Sequence, residues 1–432
     1  MQNLETQIPN EGPLSSLTEE AWTGEQHNLR YGGEMHLRKC YRIPIDLLHY
    51  NIETGRYRTR FLLLQKANPG ALIVETDPHW KDEIYQLLSG SWEDTSTGIG
   101  TRDDQDYFKS LVDDIRERDQ EHPGIALETG GVMSGNRRLA ALTTLYREEQ
   151  NPRYRYFKAF IVPAEGSMTS ADRWHLEMSA QMPAGRLVVD YDAVDKLLKY
   201  REGVECYRQL NPDGEEDSAI RAVATDLGTT KKRIEEELQT LDRIQEYLIA
   251  IGHPEEWWLA AKLTEVFTEM TPLIGACNRN DFSLEERSKL KLAVYDIIRN
   301  GQADYRLIRD IRTAVGPLRR RAGTRGIPSA TKVLMDNAPS TAGLQTPHTH
   351  SSRARAGTVV ERFRSEFAAG REKEAPLTKA ERAESNLRKL VEILQETGVT
   401  GVRQKQPLID SLSHSKSFIE QALQSLQQQP QC

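Results

Sequence analysis

Four consecutive residues, Gly135, Asn136, Arg137 and Arg138, stand between the short apolar run GVMS and the helical pattern LAALTTL, and their types suit phosphate binding. Glycine permits a sharp turn, asparagine is a favoured N-cap, and the first amides of a new helix point at whatever lies in front of it. Two arginines in that first turn oppose the positive end of the helix dipole, and a bound anion would resolve the conflict. A plainer arrangement, with Arg137 and Arg138 paired to acidic neighbours or turned to solvent, fits the same residues. A second set, Thr229, Thr230, Lys231, Lys232 and Arg233, opens another helical pattern where side chains could reach DNA phosphates or base edges. Glu235, Glu236 and Glu237 follow at once and weaken attraction to DNA unless they face away. A helical packing unit that never meets DNA is the competing reading.

Stepping along the chain, residues 1–36 are polar and contain glycines, which predicts a flexible arm. YRIPIDLLHYN then carries a strand signal, and GRYRTRFLLL adds turn chemistry and a second apolar run. Residues 77–101, with Trp80, Trp92 and the STGIGT piece, read as an insertion or flexible loop. Phe108, Leu111, Val112 and Ile115 recur at helical spacing. PGIALETGGVMSG reads as two short strands around a glycine turn, and FKAFIVP as a strand after a charged insertion over 146–155. Those elements predict a compact α+β unit over 37–168.

From Ser170 the pattern is helical to about Val315. Within it, Ala224, Gly228 and Ile234 have the spacing of a helix-turn-helix, placed at 218–243 in a helical region spanning 169–315. Residues 316–358, rich in Gly, Pro, Ser, Thr and Arg, read as a disordered basic linker; Arg319, Arg320, Arg321, Arg325, Arg353 and Arg355 fall there. Amphipathic helices are expected in a C-terminal module over 359–432, which would suit a homodimer.

The chain has 432 residues and a formal net charge of -7, so two or three folded units are expected and charge alone neither requires nor excludes nucleic acid. Cys40, Cys206, Cys277 and Cys432 lie far apart, with neither zinc-site spacing nor a disulfide framework, which fits a reducing, cytoplasmic setting. No stretch reads as a membrane span.

Taken in order, these elements resemble the ParB and sulfiredoxin superfamily over about residues 36–250. IPIDLLHYN stands at the family's first strand and turn, FKSLVDDIRERDQEHP at the helix before its phosphate-binding turn, and GNRRLAAL at its glycine, acid, double-arginine box. WHLEMSAQ resembles the short helix that completes the nucleotide site, and a helix-turn-helix follows as in ParB proteins. The resemblance implies an α+β ParB/sulfiredoxin-like N-terminal domain, an all-α helix-turn-helix region and a helical C-terminal tail. It implies a DNA-binding protein of plasmid partition, transcription regulation or mobile-element maintenance, with DNA and a nucleotide as partners. The nucleotide, CTP or ATP with Mg, would meet Gly135, Asn136, Arg137 and Arg138, with Asn51 and Arg56 from the first box and Glu177 from the later helix. In two places the chain departs from the ParB pattern. The box glutamate is Asn136 here, and the later Glu-Asn pair is Glu177 and Met178. Phosphate binding survives those changes, metal-assisted hydrolysis loses support, and no residue is assigned as a metal ligand. An enzyme of the same fold, a nuclease or an NTP-dependent phosphotransferase or NTPase, is the second reading, though the sequence offers no evident catalytic base. A non-catalytic interaction protein that has lost its ligand is the third.

Overall fold

The computed structural model describes residues 13–14, 17–51, 57–91, 102–164, 168–181, 193–212, 214, 216–279, 282–316, 326–347 and 349–371, with positions 410, 412, 413, 416, 420 and 424. It is a mixed α+β chain: a six-stranded sheet with its helices comes first, and a long run of helices follows. The strands are β1 (Trp22–Tyr31), β2 (Glu34–Pro44), β3 (His49–Tyr50), β4 (Gly124–Leu127), β5 (Gly131–Ser134) and β6 (Tyr156–Val162). Their spatial order is β1-β2-β6-β4-β5-β3, with β6–β4 and β5–β3 parallel and the other pairs antiparallel.

Alternation along each strand sorts the core into two faces, as the period-2 geometry of a strand requires. Ile43, Ala126, Val132, Phe157, Ala159 and Ile161 join one cluster, which α1 (Arg58–Ala67), α2 (Pro78–Ser89), α3 (Arg102–Arg118) and α4 (Asn136–Glu149) cover. Cys40, Ile125, Leu127, Met133, Phe160 and Val162 face the other way, with Leu176 of α5 (Ser170–Gln181).

The helical part continues with α6 (Ala193–Leu210), α7 (Glu216–Asp226) and α8 (Lys231–Ala250). Then come α9 (Thr264–Arg279), α10 (Leu284–Arg299), α11 (Tyr305–Val315), α12 (Pro328–Asp336), α13 (Thr341–Gln345) and α14 (350–371). Val223, Ala224 and Leu227 of the α7 region meet Ile234 of α8 and Trp174 of α5 in one core. The second half of α8, with Leu241, Ile244 and Leu248, belongs to the larger core that α9 to α14 build. The sheet region and the helical region are joined through Asp195 of α6, whose buried carboxylate accepts the Thr59 N–H at the start of α1 at 2.9 Å.

Several expectations change here. The arm over 1–36 contains most of a β-hairpin: β1 and β2 pair antiparallel around Gly32 and Gly33. Its apolar signal is weak because β1 is an edge strand that buries only Leu29 and Tyr31. Residues 1–12 and 15–16 lie outside the described residues. The apolar run in GRYRTRFLLL belongs to α1, which buries Phe61, Leu63 and Leu64, while residues 52–56 lie outside the described residues. The first half of the insertion over 77–101 is α2, which Asp77 caps and Pro78 opens, with Trp80, Ile84, Leu87 and Leu88 in the core. Residues 92–101 lie outside the description. The charged insertion over 146–155 is the last turn of α4 followed by a 3-10 turn, Pro152–Arg155.

Nor is 316–358 one disordered linker. Its described part forms α12, α13 and the start of α14, because Ile327, Ala330, Leu334 and Leu344 enter the helical core together with Val359, Val360, Phe363 and Phe367. Arg319, Arg320, Arg321 and Arg325 lie outside the described residues, as does most of the expected module over 359–432. No helix among the described residues is long and apolar enough to cross a membrane.

Candidate functional site

The glycine turn forms as its residue types require. Gly135 has φ +102°, and a Cβ there would lie 2.9 Å from the Phe157 ring, so both backbone and space demand glycine. Gly135, not Asn136, is the N-cap of α4. Asn136 is 3 % exposed and works as a strut: its Oδ1 accepts the Asn51 backbone N–H at 3.0 Å, and its Nδ2 donates to the Val132 carbonyl at 2.8 Å. Asn51 therefore meets the turn through its backbone.

Gly135, Asn136, Arg137 and Arg138 all line one cavity of about 950 Å³. Tyr57, Tyr107 and Leu111 line it too, as do residues 25–30 of β1 and His175, Ser179 and Ala180 of α5. The stretch expected to be a loose arm thus forms a wall of the site. Arg137 donates from Nε to the Leu88 carbonyl at 3.2 Å, and its guanidinium lies over the rings of Tyr107, Phe108 and Tyr57 at 5.4, 5.8 and 5.9 Å. Arg138 donates from Nη1 to the carbonyls of His122 and Pro123, the latter at 3.1 Å. Backbone carbonyls engage both cations at the positive end of α4, and aromatic faces flank Arg137. Both guanidiniums are thereby oriented before any ligand arrives.

Glu177 is placed elsewhere. It is absent from the cavity lining, and its carboxylate lies 2.6 Å from Lys199 Nζ, with both side chains under a tenth exposed. Glu202 stands 2.8 Å from the same ammonium. Burial alone would drive the Lys199 pKa down; the charges and hydrogen bonds of Glu177 and Glu202 outweigh it and hold the ammonium above the ordinary lysine range. Arg56 lies outside the described residues, and Arg58 is the first residue of α1. No family model, curated protein or solved structure matches this chain.

Among the described cavity residues, Arg137 and Arg138 present donors of the kind an anion accepts, while the two residues that the resemblance links to magnesium are engaged by other groups. Both ends of the Asn136 amide are committed to backbone groups, and Glu177 is committed to Lys199. Among the described residues no group of three or more His, Cys, Asp or Glu side chains is arranged to hold a metal.

At the second expected site, α7 and α8 are two helices joined by a turn at Gly228 (φ +61°), and α8 runs to Ala250, as the helical pattern implied. The Thr230 side chain caps α8 by accepting the Arg233 N–H at 3.2 Å. Its cations are paired, Lys231 with α7 as well as with its own helix and the other two along α8. Lys231 lies 2.5 Å from Asp217 and 3.2 Å from Glu235, Lys232 lies 3.8 Å from Glu236, and Arg233 lies 2.5 Å from Glu237. The glutamate run thus sits one turn along and neutralises the set, while Thr229, Thr230, Lys232 and Arg233 stay exposed.

Sequence reasoning missed His175, Asp226, Arg30, Tyr57 and Tyr107. Tyr107 sits one residue before the helical pattern that was read, and His175 lies inside WHLEMSAQ; neither carried a signal of its own.

Proposed function

We propose that the chain binds a nucleotide, or another ligand bearing a phosphate, in the cavity at the GNRR turn, and that it engages DNA through α7 and α8. The observation that carries the first part is the cavity itself: two arginines already oriented, the positive end of α4, and the rings of Tyr57 and Tyr107 occupy one wall. The guanidiniums supply charge-assisted donors to phosphate, and the tyrosine faces suit a planar base. The ParB-like order of elements supports the same reading and favours CTP or ATP, with a role in partition, transcription regulation or mobile-element maintenance.

Titration with CTP, ATP, GTP and UTP, with and without duplex DNA, tests it. Arg137→Ala or Arg138→Ala should weaken the nucleotide that binds by about 10- to 100-fold, the worth of one or two charge-assisted hydrogen bonds. Binding of none of the four, or equal affinity in wild type and both variants, would overturn the reading.

DNA binding is supported by the turn geometry and by the exposed Thr229, Thr230, Lys232 and Arg233. The ion pairs along α8 imply a small number of phosphates neutralised. Lys232→Ala with Arg233→Ala is therefore expected to lower affinity for duplex DNA and to reduce the slope of log affinity against log salt by about 2. An unchanged slope would remove α8 from the interface. Lys231, buried between Asp217 and Glu235 more than its neighbours are, has a structural role in the same helix pair.

A further inference from the structure

The cavity has a second wall that the phosphate-binding reading leaves unused. His175 of α5 lines it, and its Nδ1 lies 3.1 Å from Asp226 Oδ2. Asp226, the last residue of α7, has a side chain 9 % exposed. The same Oδ2 accepts the Tyr207 hydroxyl, and Arg30 Nη1, also from a residue in the cavity wall, stands 4.0 Å from Oδ1. Burial alone would push the Asp226 carboxyl up; the hydrogen bonds from His175 and Tyr207 and the charges of His175 and Arg30 outweigh it and hold the group below the usual carboxylate range.

An ionised acceptor on Nδ1 selects the tautomer that carries its proton there, which leaves a lone pair on Nε2 at the far edge of the ring. No hydrogen bond to Nε2 is found among the described residues. A contact that served only to hold α5 on α7 would not need a ring in the cavity wall. Glu177, two residues along the same helix, pins α5 to α6 through Lys199 entirely outside that wall.

We infer that His175, oriented by Asp226, is the proton acceptor for attack of water on a phosphoryl group held at Arg137 and Arg138, so that the cavity hydrolyses phosphoric esters or anhydrides. This rests on the phosphate-binding reading above. As the water oxygen forms its bond to phosphorus, its proton passes to Nε2. The bond from phosphorus to the leaving oxygen, opposite the attacking water, breaks with its electron pair on that oxygen, which departs as an anion or takes a proton from solvent, and the imidazolium returns its proton to solvent. The products are a phosphate and an alcohol or a shorter phosphate chain, and water is the one co-reactant. Asp226 does not touch the ligand; it is a positioning residue that fixes the tautomer and stabilises the imidazolium.

The test uses the full chain with CTP, ATP, GTP and UTP, p-nitrophenyl phosphate and bis(p-nitrophenyl) phosphate, in magnesium and in EDTA. Product release and equilibrium binding are measured together. His175→Asn keeps an amide donor near the position of Nδ1 and removes Nε2, so kcat should fall by about 10²- to 10⁴-fold while Kd is unchanged. Asp226→Asn should lower kcat in the same direction, because its amide N–H favours the wrong tautomer. Added imidazole should restore turnover to His175→Ala, which a purely structural role would not allow. Binding by the wild type without hydrolysis of any probe would overturn the proton-acceptor role and leave the binding reading standing, whereas binding of no probe would overturn both. Undiminished kcat in folded His175→Asn or in Asp226→Asn would also overturn it.

Discussion

Alanine in place of Glu177 should cost about 3 kcal/mol of stability, the lower end of what removing one partner of a buried ion pair costs, because Glu202 remains beside the stranded Lys199 ammonium. The loss should appear as a lowered denaturation midpoint, read most directly near Trp174, whose indole N–H donates to the Lys199 carbonyl at 2.8 Å. An unchanged midpoint would mean that the ammonium gains no stability from Glu177. The pair also sets an alkaline limit. The folded pKa of Lys199 is raised above its ordinary value of 10.5, so its stabilising contribution is complete below that pH and is lost as pH climbs through the folded value. Wild type and Glu177→Ala should therefore converge in stability only in strongly alkaline solution. Nucleotide affinity should survive the substitution wherever the chain stays folded, in contrast to the ligand role that the resemblance assigned to this residue.

Asn136→Ala should be the second large effect. The side chain joins the Asn51 N–H to the Val132 carbonyl from a buried position, and alanine leaves both backbone groups without that partner. At about 1–3 kcal/mol for each unsatisfied group, a loss of about 2–6 kcal/mol is expected. Asn136→Asp should not rescue it. The carboxylate still accepts from Asn51 but turns an acceptor toward the Val132 carbonyl where the amide had a donor. Chemical denaturation of the three proteins side by side decides this; a stable Asn136→Asp would show that the amide donor is dispensable. Asn136 thus holds two backbone groups at the position where the resembled family carries an acidic residue.

What was legible followed from local rules. Val132 and Met133 announce a strand by alternation, Phe108, Val112 and Ile115 a helix by spacing, and Gly135 a turn that a Cβ would block. Asp77 and Pro78 are also a helix start, followed by Trp80, Ile84, Leu87 and Leu88 at helical intervals, yet the following Ser/Thr/Gly-rich text drew the whole segment into a loop reading. For β1 no such signal existed. An edge strand buries two side chains and is made by backbone pairing to β2, which residue types do not encode. The helices of 326–358 were obscured in the same way, since Ile327, Leu334 and Leu344 are sparse apolar anchors that acquire meaning only against a core built elsewhere.

By itself the sequence determined that a glycine turn followed by two arginines would open a helix, that helices joined by a turn would follow, and that the fold would mix a sheet with a long helical region. These are nearest-neighbour properties, set by φ, by capping and by periodicity. Only the tertiary structure decided what the polar side chains do. It turned Glu177 away to Lys199, set the Asn136 amide oxygen on the Asn51 backbone, and brought Asp226 beside His175, which lines the same cavity as Arg138. The reason is that a charged or hydrogen-bonding group takes its role from the partner within about 3–4 Å, and here the decisive partners lie on elements far apart in sequence.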